Sequence, residues 1–180
     1  IHPGSAKNKM INAARVACEL EALMPVFDRP EHTEGYEGFI HLDEMQGTVT
    51  EANLKYILRD HNLEKLHQKE ELMRVTGDFL NAKYGIGTVE VDIRSSYYNM
   101  REKIEPHMHL IRTAADAFRA YGIEPVTQPI RGGTDGASLS FKGLPCPNLS
   151  TGGVNFHSVY EFIPADALDT MRDVLVNLAQ

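Results

Sequence analysis

Apolar positions along this chain recur with two periods, and the switches between them mark out its elements. Ile11, Ala14, Cys18 and Ala22 fall on one helical stripe, widened by Met10, Ala17 and Leu20. They predict a helix over residues 6–24, started by Pro3-Gly4-Ser5 and stopped by Pro25. Residues 26–35 are polar and proline-broken and read as a loop. Two extended runs follow, over residues 36–45 and 48–60, the second with Leu54, Tyr56 and Leu58 on one side. Gln46-Gly47 lies between them as a hairpin turn. Asn62 is suited to cap a second helix, Leu63 to Asn81, with Leu66, Met73 and Leu80 on a shared face. Residues 88–93 then alternate apolar and polar, the pattern of a strand with one wet face. The order is α-β-β-α-β. One strand before His2 would make it β-α-β-β-α-β, the split ferredoxin-like sandwich.

After Asn99-Met100-Arg101-Glu102 the character changes. Pro106 suits the first turn of a helix with Leu110, Ile111, Ala114 and Phe118 inward and Gly122 just past its end. Short extended pieces are expected at 125–128 and 143–148, and a short helix at 136–141. A last helix from Pro164 carries Leu168, Met171, Leu175 and Leu178 on one stripe. These elements are too few for a sheet layered on both faces. The expectation is therefore an α+β sandwich over residues 1–103, followed by one flank of a larger α/β domain over 104–180.

The bulk properties narrow the function classes. A chain of 180 residues can form one large domain or two small ones. Its net charge of -7 argues against a nucleic-acid partner, which requires a basic surface. No run approaches the roughly 18 apolar residues of a membrane span. Cys18 and Cys146 make no disulfide framework, which favours a reducing, cytoplasmic setting. The chain opens at Ile1 without an initiator methionine, and so reads as a piece of something longer.

Candidate chemistry concentrates in two glycine-paired turns, Arg131-Gly132-Gly133-Thr134 and Thr151-Gly152-Gly153, the second leading to His157. An arginine beside such a turn can grip a carboxylate through two parallel hydrogen bonds, and a histidine can ligate a metal or move a proton. The plainer alternative is a pair of surface turns. Other groupings read as structural. His41 and Asp43 sit on an expected strand, and Glu70-Glu71 sits on a solvated helix face. His107 and His109, at i and i+2 of a helical turn, point their rings apart. Gly35-Tyr36-Glu37-Gly38-Phe39-Ile40 has the aromatic pattern of an RNA-binding strand, but Glu37 stands where a basic residue would be needed.

Taken together, His2-Pro3-Gly4-Ser5-Ala6-Lys7, Thr33 to Phe39, Ser96 to Lys103, Ile130 to Gly136, Leu144 to Asn148 and Thr151 to His157 resemble the peptidase T family of aminotripeptidases. That family lies within the dizinc aminopeptidase/deacylase superfamily. The resemblance runs in register across essentially the whole chain. It implies a ferredoxin-like lid over residues 1–103, then the C-terminal segment of a zinc-peptidase domain over 104–180. It further implies tripeptide substrates, two zinc ions in the parent active site, and a cytosolic homodimer formed through the lid. On the same basis His157 matches a metal ligand, and His2 matches a lid histidine that polarises the scissile carbonyl. Arg131 matches the group that binds the substrate's terminal carboxylate, and Asn99 matches a substrate contact.

The departures matter too. The family's His-x-Asp ligands, bridging aspartate, Glu-Glu base pair and further acidic ligand all precede the stretch matched here. One ligand cannot build a tetrahedral site, so the chain alone is expected to be inactive. Tyr160 stands where the family often has another histidine. Two alternatives remain: a non-catalytic dimerisation module, and a deacylase of the same superfamily.

Overall fold

The first α-helix, α1 (Ala13–Leu23), begins seven residues later than the apolar stripe predicts, in a computed structural model that describes residues 1–95 and 98–180. Ser96 and Tyr97, quoted above in one motif, lie outside the described residues. The later start has a local cause. Asn12 caps the helix by accepting the Arg15 N–H at 3.3 Å, while Asn8 upstream has a left-handed φ of 58°. The free N–H groups of Ala13 and Ala14 donate to Val49 and Thr48 carbonyls, each at 3.0 Å, which ties the helix start to a hairpin tip. The inward face is also rotated from the expected one. Val16, Ala17, Leu20 and, just past the end, Met24 are buried, whereas Ile11 and Cys18 are exposed. Ala17 and Leu20, which widened the expected stripe, are joined by Val16 and Met24, which bury more apolar surface than the remaining alanines and cysteine of that stripe.

The hairpin comprises β1 (Phe39–Gly47) and β2 (Ala52–Arg59), antiparallel, with Ile40 opposite Leu58, Leu42 opposite Tyr56 and Gly47 opposite Ala52. Its turn lies at Thr48–Glu51, not at Gln46-Gly47. The Thr48 N–H donates to Glu51 at 2.7 Å, and the Thr48 hydroxyl accepts from Thr50 and Glu51. Asp43 is the extra residue where the register slips.

Helix α2 (Leu63–Tyr84) is capped by Asn62, which accepts the Lys65 N–H at 3.0 Å. It runs three residues beyond expectation to Gly85, whose φ of 114° is open to glycine. Met73 and Leu80 are buried as expected. Together with Val16, Leu20, Met24 and Ile40 they form one core, backed by Leu54, Tyr56 and Leu58. Two helices thus cover one face of the hairpin, and the class is α+β.

Residues 88–93 do not form the expected strand. The Asn81 side chain accepts the Val89 N–H and donates to its carbonyl, both at 2.9 Å, so an amide takes the place of a ladder partner. Val89 and Ile93 still turn into the core. Alternation therefore selected an extended, half-buried segment, but strand pairing requires a neighbouring backbone. Among the described residues the sheet has two strands.

Ile1–Ser95 together with Pro129–Gly132 make one structural unit, and residues 98–128 with 133–180 make another. In the second, α3 (Arg101–Ile104) and a turn through Pro106 lead into α4 (Met108–Arg119). Helix α4 ends as expected at Gly122 (φ 74°): the Ile123 N–H reaches the Phe118 carbonyl at 3.2 Å and that of Gly122 reaches Arg119 at 2.9 Å. The short helix α5 (Asp135–Phe141) forms where predicted, capped by the Thr134 hydroxyl. The last helix, α6 (Ala165–Leu178), buries Met171 and Val174 against Ala117 and Phe118. Leu168 and Leu175, expected inward, are exposed, because the face centred on Val174 closes on the small side chains of α4. Residues 125–128 and 143–148 contain no strand; instead a single bridge joins Val154 to Phe162.

Candidate functional site

Arg131 is the most constrained of the candidate side chains. Its Nη1 donates to the Thr33 carbonyl at 2.7 Å and its Nη2 to the Thr33 hydroxyl. The guanidinium carbon stands 5.1 Å from the centre of the Phe39 ring, at the first residue of β1. Its Nε is buried and, among the described residues, has no hydrogen-bond partner. Pro129–Gly132 belongs to the first unit, so this contact is internal to that unit.

Thr33 is itself fixed. It follows a single helical turn, Pro30–His32, and its hydroxyl donates to the Arg29 carbonyl at 3.0 Å. The Arg29 guanidinium donates to Glu21 at 2.8 Å, and Glu21 also accepts from the Tyr56 hydroxyl at 2.6 Å. Burial first, and then the bond to Glu21, hold the Tyr56 phenol well above the usual tyrosine range. Next to Thr33, the Glu34 N–H donates to the Glu37 carboxylate at 2.9 Å and Gly35 takes a φ of 55°, which closes a tight loop.

The other candidates are held by their own neighbours. The His2 Nδ1 accepts the Gly4 N–H at 3.0 Å and caps the turn Pro3–Ser5. An accepting Nδ1 carries no proton, which places the proton of the neutral ring on Nε2. The Asn99 Oδ1 accepts the Arg101 N–H at 3.0 Å, at the start of α3. His157 is exposed with a left-handed φ of 65°, and its N–H donates to the Glu161 carboxylate at 2.7 Å. His2 and Arg131 lie in the first unit, Asn99 and His157 in the second. Among the described residues no hydrogen bond joins His2 to Arg131 or Asn99 to His157.

The glycine motifs have packing roles of their own. A Cβ on Gly136 would overlap the Cys146 carbonyl, and the Asn148 amide donates to the Thr134 hydroxyl at 3.2 Å. Thr134 and Gly136 are thereby packed against the Cys-Pro-Asn motif within the second unit. Of the groupings read as structural, Asp43 pairs with Lys55 at 2.6 Å, and that bond lowers its carboxyl below the usual range. Glu70 pairs with His67 at 3.1 Å and Glu71 with Arg74 at 3.5 Å. The rings of His107 and His109 do not point apart: their centres are 6.0 Å from each other, edge to face. His107 precedes α4 with φ -122° and ψ 34°, so helical spacing does not apply to the pair.

Sequence reasoning quoted Thr33 and Phe39 within a motif without giving them a role, and left Glu161 unassigned. The signal was available for Thr33, which opens the Thr33–Phe39 block. Among the described residues no three His, Cys, Asp or Glu side chains converge so as to hold a metal. His157 alone does not fit a zinc centre, which takes three or four protein ligands. No helix among the described residues is long and apolar enough to cross a membrane.

The profile of the peptidase dimerisation domain matches residues 1–88. The chain is 52% identical over all 180 residues to a peptidase T of Caldanaerobacter subterraneus subsp. tengcongensis, and 50% identical to one of Clostridium novyi. It spans 44% of the length of each of these relatives. Its fold is similar to that of a tripeptidase from Staphylococcus aureus, with a TM-score of 0.72 and 19% identity over 99% of this chain and 47% of the other. The chain is thus similar over all of its 180 residues to one part of peptidase T, and its residues 1–88 match the peptidase dimerisation domain.

Proposed function

We propose that this chain works as part of a zinc-dependent aminopeptidase that removes the N-terminal residue from tripeptides. The match to peptidase T over all 180 residues carries this reading. Residues 1–103 serve as the lid, completed to a ferredoxin-like sheet by a strand from outside the chain, and residues 104–180 as the C-terminal part of the catalytic domain. Two copies associate through the lid, in the cytoplasm.

Each residue then has a task. Arg131 receives the terminal carboxylate of the peptide, with Asn99 as a further contact. A guanidinium suits an enzyme limited to short peptides, because energy gained at the remote charged end can orient the reacting bond. His2 donates from Nε2 to the oxygen of the scissile carbonyl as charge develops there, an effect worth about 3 kcal/mol per donor. His157 supplies one ligand to the zinc pair, whose other ligands come from residues outside these 180. When bound, the metals would polarise the carbonyl and supply the water nucleophile.

The reading is tested by measuring zinc content and tripeptide hydrolysis, first on this exact chain and then on a complete enzyme that contains it. Metal-dependent turnover is expected from the complete enzyme alone. Two zinc ions and turnover in the 180-residue chain would overturn the ligand assignment.

A further inference from the structure

We infer that Thr33 is a positioning residue for Arg131, and that the guanidinium edge carrying Nε is the one that receives the substrate carboxylate. This rests on the reading of Arg131 as the carboxylate-binding group.

A guanidinium has five N–H donors in a planar fork. Two are committed to Thr33, one from Nη1 to its carbonyl at 2.7 Å and one from Nη2 to its hydroxyl. Because they come from the two terminal nitrogens, the end-on edge of the fork faces Thr33. The guanidinium carbon lies over the Phe39 ring, 5.1 Å from its centre. A bidentate pair with a carboxylate requires two donors on one edge. The side edge, built from Nε–H and a neighbouring Nη–H, is the one that remains. Among the described residues its buried Nε has no partner, and a buried donor without an acceptor is an unfavourable arrangement that a bound anion would relieve.

The Thr33 hydroxyl is suited to this task by its proton balance. It has one proton, given to the Arg29 carbonyl at 3.0 Å. Toward Arg131 it can therefore only accept, which fixes the sense of the bond to Nη2. Arg29 is held in turn by Glu21 at 2.8 Å. The guanidinium orientation is thus set through Thr33, the Arg29 carbonyl and the Arg29–Glu21 pair.

The test uses the complete enzyme, with tripeptides and their C-terminally amidated forms as substrates. Thr33→Val keeps the side chain's shape and the backbone carbonyl while removing the hydroxyl; Thr33→Ser restores the hydroxyl. In Thr33→Val the preference for free acid over amide, read as a ratio of kcat/KM values, is expected to fall about tenfold, as loss of one charge-assisted hydrogen bond implies. The change should lie in KM, and Thr33→Ser should retain the preference. Arg131→Lys, which cannot form a bidentate pair, should lower it at least as far. An Arg131→Lys enzyme that loses the preference beside a Thr33→Val enzyme that keeps it would overturn the role of Thr33. If neither variant changes the preference, the reading of Arg131 falls as well. Equal loss on acid and amide substrates would reduce Thr33 to a structural residue.

Discussion

Lys69 on α2 and Asp60 at the end of the hairpin form a buried ion pair, with nitrogen and oxygen 2.9 Å apart and side chains only 12% and 2% exposed. Asp60 also accepts the Asn62 N–H at 2.9 Å, just where α2 begins. Gly38 packs so closely on this carboxylate that a Cβ there would overlap it. The pair therefore joins the strand end, the helix start and the loop that leads into β1.

Breaking that pair from one side should be costly. Lys69→Met leaves a buried carboxylate without its cation, an arrangement that typically costs about 3 kcal/mol or more. The double variant Asp60→Asn, Lys69→Met should recover part of the loss, since an uncharged pair leaves no orphan charge. Urea unfolding of the wild type, Asp60→Asn, Lys69→Met and the double variant, compared at unchanged slope, measures this.

Gly77 should resist alanine although it sits inside a helix. Alanine would normally gain about 1 kcal/mol there from helix propensity. A Cβ at Gly77, however, would lie 2.7 Å from a Val91 methyl, in the segment that covers α2. Gly77→Ala is expected to be destabilising, and adding Val91→Ala should turn the change favourable. The sign reversal in a double-mutant cycle is the readout.

Glu19 and Tyr56 contribute to the pH limits of the first unit with opposite sign. The Glu19 carboxyl is held below its usual range, chiefly by the hydrogen bond from Lys83 and then by that from Tyr84. A depressed carboxyl stabilises the fold above its unfolded pKa of about 4.3, and that contribution is lost as pH falls through the folded value. Glu19→Gln should therefore flatten the acid limb of the stability profile. Tyr56 has the opposite sign. Its raised phenol contributes fully below about pH 10, the unfolded value, and loses that contribution as pH rises above it. Tyr56→Phe should flatten the alkaline limb, followed by thermal melts across pH.

The backbone of His157 should depend on Glu161. The 2.7 Å bond from the His157 N–H to that carboxylate holds a residue whose φ of 65° few side chains adopt. Glu161→Ala is expected to speed exchange of the His157 amide proton about tenfold, while Glu161→Gln, which keeps an acceptor, should change it little. Residue-resolved hydrogen exchange decides between them.

How much of this could be read from the sequence depends on how local each cause is. Asn62 capping α2, Gly122 ending α4 and the short helix after Thr134 were legible because capping and left-handed glycines act within one turn of chain. Met73 and Leu80 were legible as inward residues of α2 too, although Val75 and Phe79 on the same helix stay exposed. The family resemblance needed only the order of the motifs, and the similarity to a peptidase T extends over all 180 residues. Faces rich in alanine or in equivalent leucines were not legible. On α1 and α6 several stripes are nearly equal in apolarity, and the partner decides: Val16 against the hairpin, Val174 against Ala117. Nor could periodicity tell an extended segment from a strand at residues 88–93, because the hydrogen-bond partner is the Asn81 side chain and not another backbone. The same holds for Arg131. Its residue type announced a capacity to bind a carboxylate, but only tertiary structure could bring Thr33, 98 positions earlier in the chain, to the end-on edge of its guanidinium and leave Nε without a partner among the described residues.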